Sequence, residues 1–109
     1  MTTALLKVAP DQDLYTVWSF SVDNVLAVRT HREIKASRAW TDEQLRRADE
    51  TGTSSTDGDG SWDERVFVVA NTYHRLGCFE LRRDQLADYA RLLREGKAAS
   101  AEAMLSAIP

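Results

Sequence analysis

Apolar and small polar residues alternate along the first well-patterned segment of the chain. Across residues 15–22 this alternation predicts a β-strand that buries Trp18, Phe20 and Val22 on one face. Two turn-forming residues follow, and the apolar stretch 25–29 then predicts a returning strand. The pattern therefore indicates a β-hairpin.

Two registers are open for this hairpin. A two-residue loop pairs Val22 with Val25 and leaves Leu26 and Val28 opposite serines. A three-residue loop pairs Val22 with Leu26 and Phe20 with Val28, which gathers the large apolar side chains on one face. Because a slip of one residue moves every side chain to the other face, burial favours the longer loop.

Two capping boxes predict the first two helices. In Thr30-His31-Arg32-Glu33 the threonine can accept a hydrogen bond from the amide of Glu33, whose carboxylate can reach back to the amide of the cap. Thr41 and Gln44 repeat the arrangement, and Gly52 is placed to end the second helix.

The second half of the chain contains two further strand patterns. The apolar run Val66–Ala70 predicts a strand covered on both faces, and Cys78–Leu81 predicts a shorter one. Helical spacing across Asp84–Glu95 predicts an amphipathic helix, and Ser100 is placed to cap a last short helix. At the other end of the chain, Ala4–Val8 fits either a short strand or a frayed terminus.

These elements and the composition together predict one small domain. The chain has 109 residues, 43% of them hydrophobic and 28% charged, which suits a single globular core over residues 1–109. We expect an α+β fold with a small, mostly antiparallel sheet of three to five strands and helices packed mainly on one face. The expected core residues are Trp18, Phe20, Val22, Leu26, Val28, Phe67, Val69, Leu86, Tyr89 and Leu93.

The segment 51–64 is a long polar loop with a single large apolar side chain, Trp62. Because nothing before Trp62 is expected to join a core, we predict that residues 53–60 are mobile and that Trp62 is at least half buried against the sheet. Exposed aromatic residues often anchor partners. If the loop recognises a positively charged partner, the contacts are Asp57, Asp59 and Asp63, together with Trp62.

The acidic loop also invites a comparison with calcium sites. With Asp57 and Asp59 set at the third and fifth positions of an EF-hand loop, the twelfth position is Val66 and the bidentate glutamate is missing. We therefore predict no metal site and no cofactor. A small metal-dependent domain or enzyme centred on this loop stays as a lesser alternative.

Charge and cysteine content limit the remaining function classes. The net charge is −3 and the isoelectric point is near 5.3, whereas nucleic-acid binders are usually basic. The single cysteine, Cys78, excludes an intrachain disulfide and fits a reducing compartment. The early apolar run Ala4–Ala9 is too short for a membrane span, so we expect a cytoplasmic protein without membrane association.

Nucleic-acid binding is the main alternative function, because the first two helices carry a cluster of basic residues. A helix-turn-helix is not indicated, since the connection between these helices lacks the usual glycine. The residues that would contact nucleic acid are Arg32, Lys35, Arg38, Arg46 and Arg47.

A cysteine–histidine nucleophile is a weaker possibility. His74 and Cys78 are four residues apart, but a turn at Gly77 would separate their side chains, so Cys78 is expected to be a small buried residue. His31, in the first turn of a helix, belongs to no catalytic pattern. We therefore predict no catalytic residues.

Several segments resemble short uncharacterised proteins of GC-rich actinobacteria and their phages. The resemblance rests on Tyr15-Thr16-Val17-Trp18-Ser19, on Val22-Asp23, on the capping Thr30 and on Ala48-Asp49-Glu50-Thr51-Gly52-Thr53-Ser54-Ser55. It implies a small accessory protein, encoded by host or phage, that acts by binding. The expected function is thus a non-catalytic protein-binding or regulatory role for a monomer or homodimer whose protein partner is unknown.

Overall fold

The computed structural model describes residues 3–72 and 74–108. Within these residues the chain forms six β-strands, four α-helices and one short 3-10 helix. In chain order the elements are β1 (Thr3–Lys7), β2 (Tyr15–Ser19), β3 (Asn24–Arg29), α1 (His31–Ser37), α2 (Asp42–Thr51), β4 (Val66–Ala70), β5 (Cys78–Arg82), the 3-10 helix (Arg83–Gln85), α3 (Leu86–Arg94), α4 (Ala98–Glu102) and β6 (Ser106–Ala107).

The predicted α+β class with antiparallel strands is confirmed. The strands form two three-stranded sheets instead of one, in the orders β1-β2-β3 and β4-β5-β6. Helices α1 and α2 pack on one face of the first sheet around Leu5 and Tyr15. The other face of that sheet joins the second sheet and α3 in a common core that includes Trp18, Phe67 and Leu86.

The predicted hairpin exists, but the favoured register is wrong. Strand β2 ends at Ser19, and a bulge between Val17 and Trp18 shifts the pairing so that Trp18 lies opposite Val25. Val22 and Leu26 are consequently 55% and 57% exposed. The bulge inserts one extra residue, so the simple alternation on which the prediction relied fails at that point.

The predicted strands in the second half of the chain are present as β4 and β5. Burial of β4 on both faces is a wrong prediction, because Val66 and Val68 are 43% and 42% exposed while Phe67 and Val69 are buried. Cys78 is also exposed and not buried as predicted. Only one face of the second sheet meets the core.

Both capping boxes are confirmed. Thr30 accepts from the amide of Glu33, Thr41 accepts from the amide of Gln44, and each partner side chain accepts from the amide of its cap. Gly52 ends α2 in the left-handed conformation, as predicted. Locally encoded helix ends therefore survive in the folded chain.

The C-terminal helices differ from the prediction in detail. The expected amphipathic helix is α3, preceded by the 3-10 turn, but Ser100 lies inside α4 and does not cap it. Of the expected core, Phe20 and Leu93 are only partly buried, and Val22 and Leu26 are exposed. The remaining expected core residues are buried, namely Trp18, Val28, Phe67, Val69, Leu86 and Tyr89.

Candidate functional site: the Trp62 groove

The polar loop begins as an extension of the first sheet. The amide of Ser54 donates to the carbonyl of Leu5 at 2.9 Å, and the hydroxyl of Ser54 accepts from the amide of Leu5 at 2.9 Å. Thr53 forms a bridge with Leu6 and is fully buried. The expectation that nothing before Trp62 joins a core is therefore wrong, because these residues cover the edge of β1. Mobility of residues 53–60 stays a prediction.

Trp62 is more than half buried, as predicted, and its hydrogen bonds are with the end of α2. Its amide donates to the carbonyl of Thr51 at 2.9 Å, and its indole N–H donates to the carbonyl of Glu50 at 3.2 Å. A Cβ on Gly52 would lie 2.7 Å from the indole ring, so the ring packs directly on that glycine. The guanidinium of Arg83 lies 4.7 Å from the ring centroid.

Arg83 holds the surroundings of Trp62 together. Its side chain donates to five backbone carbonyls from three separate segments of the chain, at distances between 2.5 and 3.4 Å. The acceptors are the carbonyls of Lys7, Val8, Gly52, Gly60 and Ser61. Burial lowers the pKa of Arg83 to about 10, an effect that the nearby Glu64 carboxylate partly opposes. The guanidinium still carries its charge at neutral pH.

An open groove of about 600 Å³ lies beside Trp62 and Arg83. Its apolar part comes from the chain after β1 and from the start of α3, and arginines surround it. The lining residues are Val8, Ala9, Pro10, Gln12, Trp62, Arg65, Arg82, Arg83, Asp84 and Ala87. We call this surface the Trp62 groove.

The groove carries an excess of positive charge. Arg82 pairs with Asp84 at 3.0 Å, which neutralises one arginine. The acceptors of Arg83 are all carbonyls, and the exposed Arg65 forms no ion pair with any residue that the structure describes. Arg65 and Arg83 therefore border an apolar surface and form no ion pair with a carboxylate among the described residues, although Glu64 lies near Arg83.

The predicted recognition residues of the loop do not come together. Trp62 lines the groove, whereas Asp57 and Asp59 are exposed at a separate recess of about 200 Å³ that also includes Phe20 and Arg47. Asp63 is exposed and lines neither of them. Within residues 3–72 and 74–108, no group of three or more His, Cys, Asp or Glu side chains is arranged to hold a metal ion.

The basic residues proposed for nucleic-acid contact are largely neutralised. Arg46 pairs with both Glu43 and Glu50, and Arg47 pairs with Glu43 and donates to a backbone carbonyl of the loop. Lys35 lies 3.9 Å from Asp42. Arg32 and Arg38 are exposed and have no ion pair among the residues that the structure describes. Of these five basic residues, only Arg32 and Arg38 therefore lack an ion pair within the described part of the chain.

A second cluster of titratable groups surrounds Asp49. Its carboxylate accepts from the hydroxyl of Tyr15 and lies 3.4 Å from the ammonium of Lys7 and 4.0 Å from His31. Burial and the Asp49 carboxylate raise the pKa of Tyr15, so its hydroxyl stays protonated and acts as a donor. These contacts join α2 to β1 and β2 of the first sheet.

His74 and Cys78, the weaker catalytic possibility, lie in different surroundings. The buried carboxylate of Glu102 accepts from the hydroxyl of Thr72 and from the amide of His74, and it lies 3.9 Å from the His74 ring. Cys78 begins β5 on the exposed face of the second sheet. Through these contacts Glu102 of α4 holds Thr72 and His74, which follow β4, in place.

Sequence reasoning selected Trp62 but missed Arg65 and Arg83. Arg83 precedes a helix in an Arg-Arg-Asp segment, which is typical of a solvated helix start. Only the fold brings it against carbonyls as far as 76 positions away. No sequence signal marked it.

Comparisons with known proteins assign no family to this site. No family model, curated protein or solved structure matches the chain. No helix within the described residues is long and apolar enough to cross a membrane.

Proposed function

We propose that this protein is a non-catalytic binding protein whose Trp62 groove takes an acidic segment of a partner protein. The observation that supports this proposal is the pair of arginines, Arg65 and Arg83, that border an apolar groove and form no ion pair among the described residues. A segment with a carboxylate beside an apolar side chain would match both features. This acidic partner differs from the positively charged partner predicted for Asp57, Asp59 and Asp63, which lie outside the groove.

The shape of the groove favours a protein segment over a small molecule. Its volume of about 600 Å³ would accommodate a few side chains. Small-molecule sites enclose most of the ligand surface, whereas this groove is partly open to solvent. The partner would therefore lie across the surface and insert one apolar side chain beside Trp62.

Protein is also a better match than nucleic acid. The chain has a net charge of −3, which opposes the approach of a polyanion outside the groove. Trp62 packs on Gly52 and under the Arg83 guanidinium, so its ring is already engaged in contacts that base stacking would have to replace. A small accessory role, host-encoded or phage-encoded, follows from the resemblance to short actinobacterial and phage proteins.

Selection from a random peptide library tests this function. Peptides selected on the wild-type protein should be enriched in Asp or Glu next to an apolar residue, and Arg65→Glu should weaken their binding at least ten-fold. Arg32→Glu is the matched control, because Arg32 is an exposed arginine without an ion pair among the described residues and lies on α1, outside the groove. This variant should bind normally.

Three outcomes would contradict the proposal. They are selected peptides without acidic residues, equal binding to the Arg65→Glu variant, and equal weakening by Arg32→Glu. A salt-dependent gel shift with DNA or RNA that disappears in Arg32→Glu would instead support the nucleic-acid alternative.

A further inference from the structure

Strand β4 has an open edge whose hydrogen-bonding groups can be assigned from its neighbours. The amide of Arg83 donates to the carbonyl of Arg65, and the amide of Asn71 donates to the carbonyl of Gly77. In the β4–β5 register these are directly opposed pairs at the two ends of the ladder. Since hydrogen-bonded pairs alternate along an antiparallel ladder, Phe67 and Val69 also bond to β5.

Val66, Val68 and Ala70 lie between these hydrogen-bonded positions, and their backbone N–H and C=O groups point away from β5. At Ala70 these outward groups are satisfied, because its amide donates to the carbonyl of Asp23 and its carbonyl accepts from the side chain of Asn24. At Val66 and Val68 the outward N–H and C=O groups have no partner among the residues that the structure describes. The side chains of both valines are also exposed.

We propose that this edge binds the same edge of a second copy of the chain, so that the protein forms a two-fold symmetric dimer. A two-fold axis beside Phe67 places Val66 opposite Val68 of the second copy in an antiparallel pair. Each such pair exchanges two N–H···O=C bonds. The two symmetry-related pairs use all four outward groups of each copy.

The exposed face supports a second copy over an unrelated strand. Val66 lies opposite Arg82 and Val68 lies opposite Glu80 across the β4–β5 ladder. In the symmetric pairing, each row of side chains across the joined sheet contains Arg82 and Val66 of one copy. Val68 and Glu80 of the second copy continue the same row. Valines of one copy therefore meet valines of the other at the centre of the joined sheet.

The open stretch is also short, because Asp23 and Asn24 occupy the edge from Ala70 onward. The hydrogen bonds of the symmetric pairing use only Val66 and Val68, which lie within this open stretch. Dimerisation through β4 does not require a ligand in the Trp62 groove.

Sedimentation equilibrium tests the dimer, with reductant present because Cys78 is exposed. The mass should rise with concentration from 12.3 kDa to twice that value. Val68→Lys should weaken dimerisation at least ten-fold by placing charge among the valines. Leu26→Lys is the matched control, because Leu26 is an exposed apolar residue on β3, outside the β4 edge.

Val68→Pro and hydrogen exchange test the backbone bonds directly. Proline at this position removes only an outward N–H and leaves the β5 ladder intact, so it should also prevent dimerisation. In the wild type, amide protection at Val66 and Val68 should rise with protein concentration, whereas protection at Phe67 and Val69 should not.

The inferred dimer is overturned by a monomer at every concentration. It is also overturned by a dimer that persists in both Val68 variants, by one that Leu26→Lys disrupts equally, or by Val66 and Val68 amides that exchange at the same rate in monomer and dimer.

Discussion

Replacement of Arg83 by methionine should be among the most destabilising single changes in this chain. Three carbonyls would then have no donor among the described residues, those of Lys7, Val8 and Gly60. Val8 and Gly60 are buried, so water cannot easily replace the lost bonds. Each unsatisfied buried acceptor costs about 1–3 kcal/mol.

An opposing contribution limits the net loss. The low pKa of Arg83 shows that burial of its charge is unfavourable, and methionine removes that cost while keeping much of the apolar contact with Trp62. We therefore expect the free energy of unfolding to fall by about 3 kcal/mol, a large part of the 5–15 kcal/mol typical of a domain.

Urea denaturation followed by circular dichroism measures this change. A loss of this size should lower the midpoint by about 1–3 M. Arg82→Met is the control, because Arg82 is exposed and pairs only with the exposed Asp84, and it should change stability by less than about 0.5 kcal/mol. The reasoning about Arg83 is refuted if both variants lose similar amounts, or if Arg83→Met loses less than 1 kcal/mol.

Three further predictions concern a glycine, an ion pair and a buried phenol. Gly60→Ala should destabilise the protein by more than about 2 kcal/mol in the same assay, because its Cβ would lie 2.4 Å from Leu6 and its φ is +88°. Gly58→Ala is the control and should cost only about 1 kcal/mol, because φ there is +82° but the surroundings are open; equal costs would contradict the reasoning. The ion pair with Arg94 and the helix cap at Thr30 lower the pKa of Glu33 to about 2, so its stabilising effect is full above its ordinary pKa of 4.5 and is lost as the pH falls toward 2. The melting temperatures of the wild type and Glu33→Gln should therefore converge between pH 4.5 and 2, and a constant difference would refute this prediction. Burial raises the pKa of Tyr89 from 10.0 to about 12, so the protonated phenol stabilises the fold below pH 10 and this contribution is lost between pH 10 and 12. Tyr89→Phe should lessen the fall in the free energy of unfolding over this pH range, and an unchanged pH profile would count against this assignment.

Most of the local structure could be predicted from the sequence. The capping boxes at Thr30 and Thr41 and the glycine end of α2 depend on contacts within four residues, and all three are present. The apolar run of β4 also predicted a strand correctly. Its burial could not be predicted, because the same five residues fit a strand covered on one face or on both.

The candidate site was predictable only in part. Trp62 stood out as the only large apolar residue in a polar loop, and its partial burial follows from that contrast. Its neighbours could not be predicted, because Arg65 directly precedes β4 and Arg83 directly follows β5, and only the pairing of these strands brings both arginines to the groove. The acidic residues of the loop suggested a basic partner, whereas the fold places arginines beside the tryptophan.

The sequence by itself determined the secondary-structure elements whose hydrogen bonds close within a few residues, together with the α+β class that follows from their order. The tertiary structure decided which polar groups are buried. Ser54 meets Leu5 across 49 positions, and Arg83 meets Lys7 across 76. Such contacts depend on how the two sheets and α2 pack together, and a short window of sequence contains no information about that packing. For this reason the ends of the helices were evident from the chain, while the groove and the open edge of β4 were not.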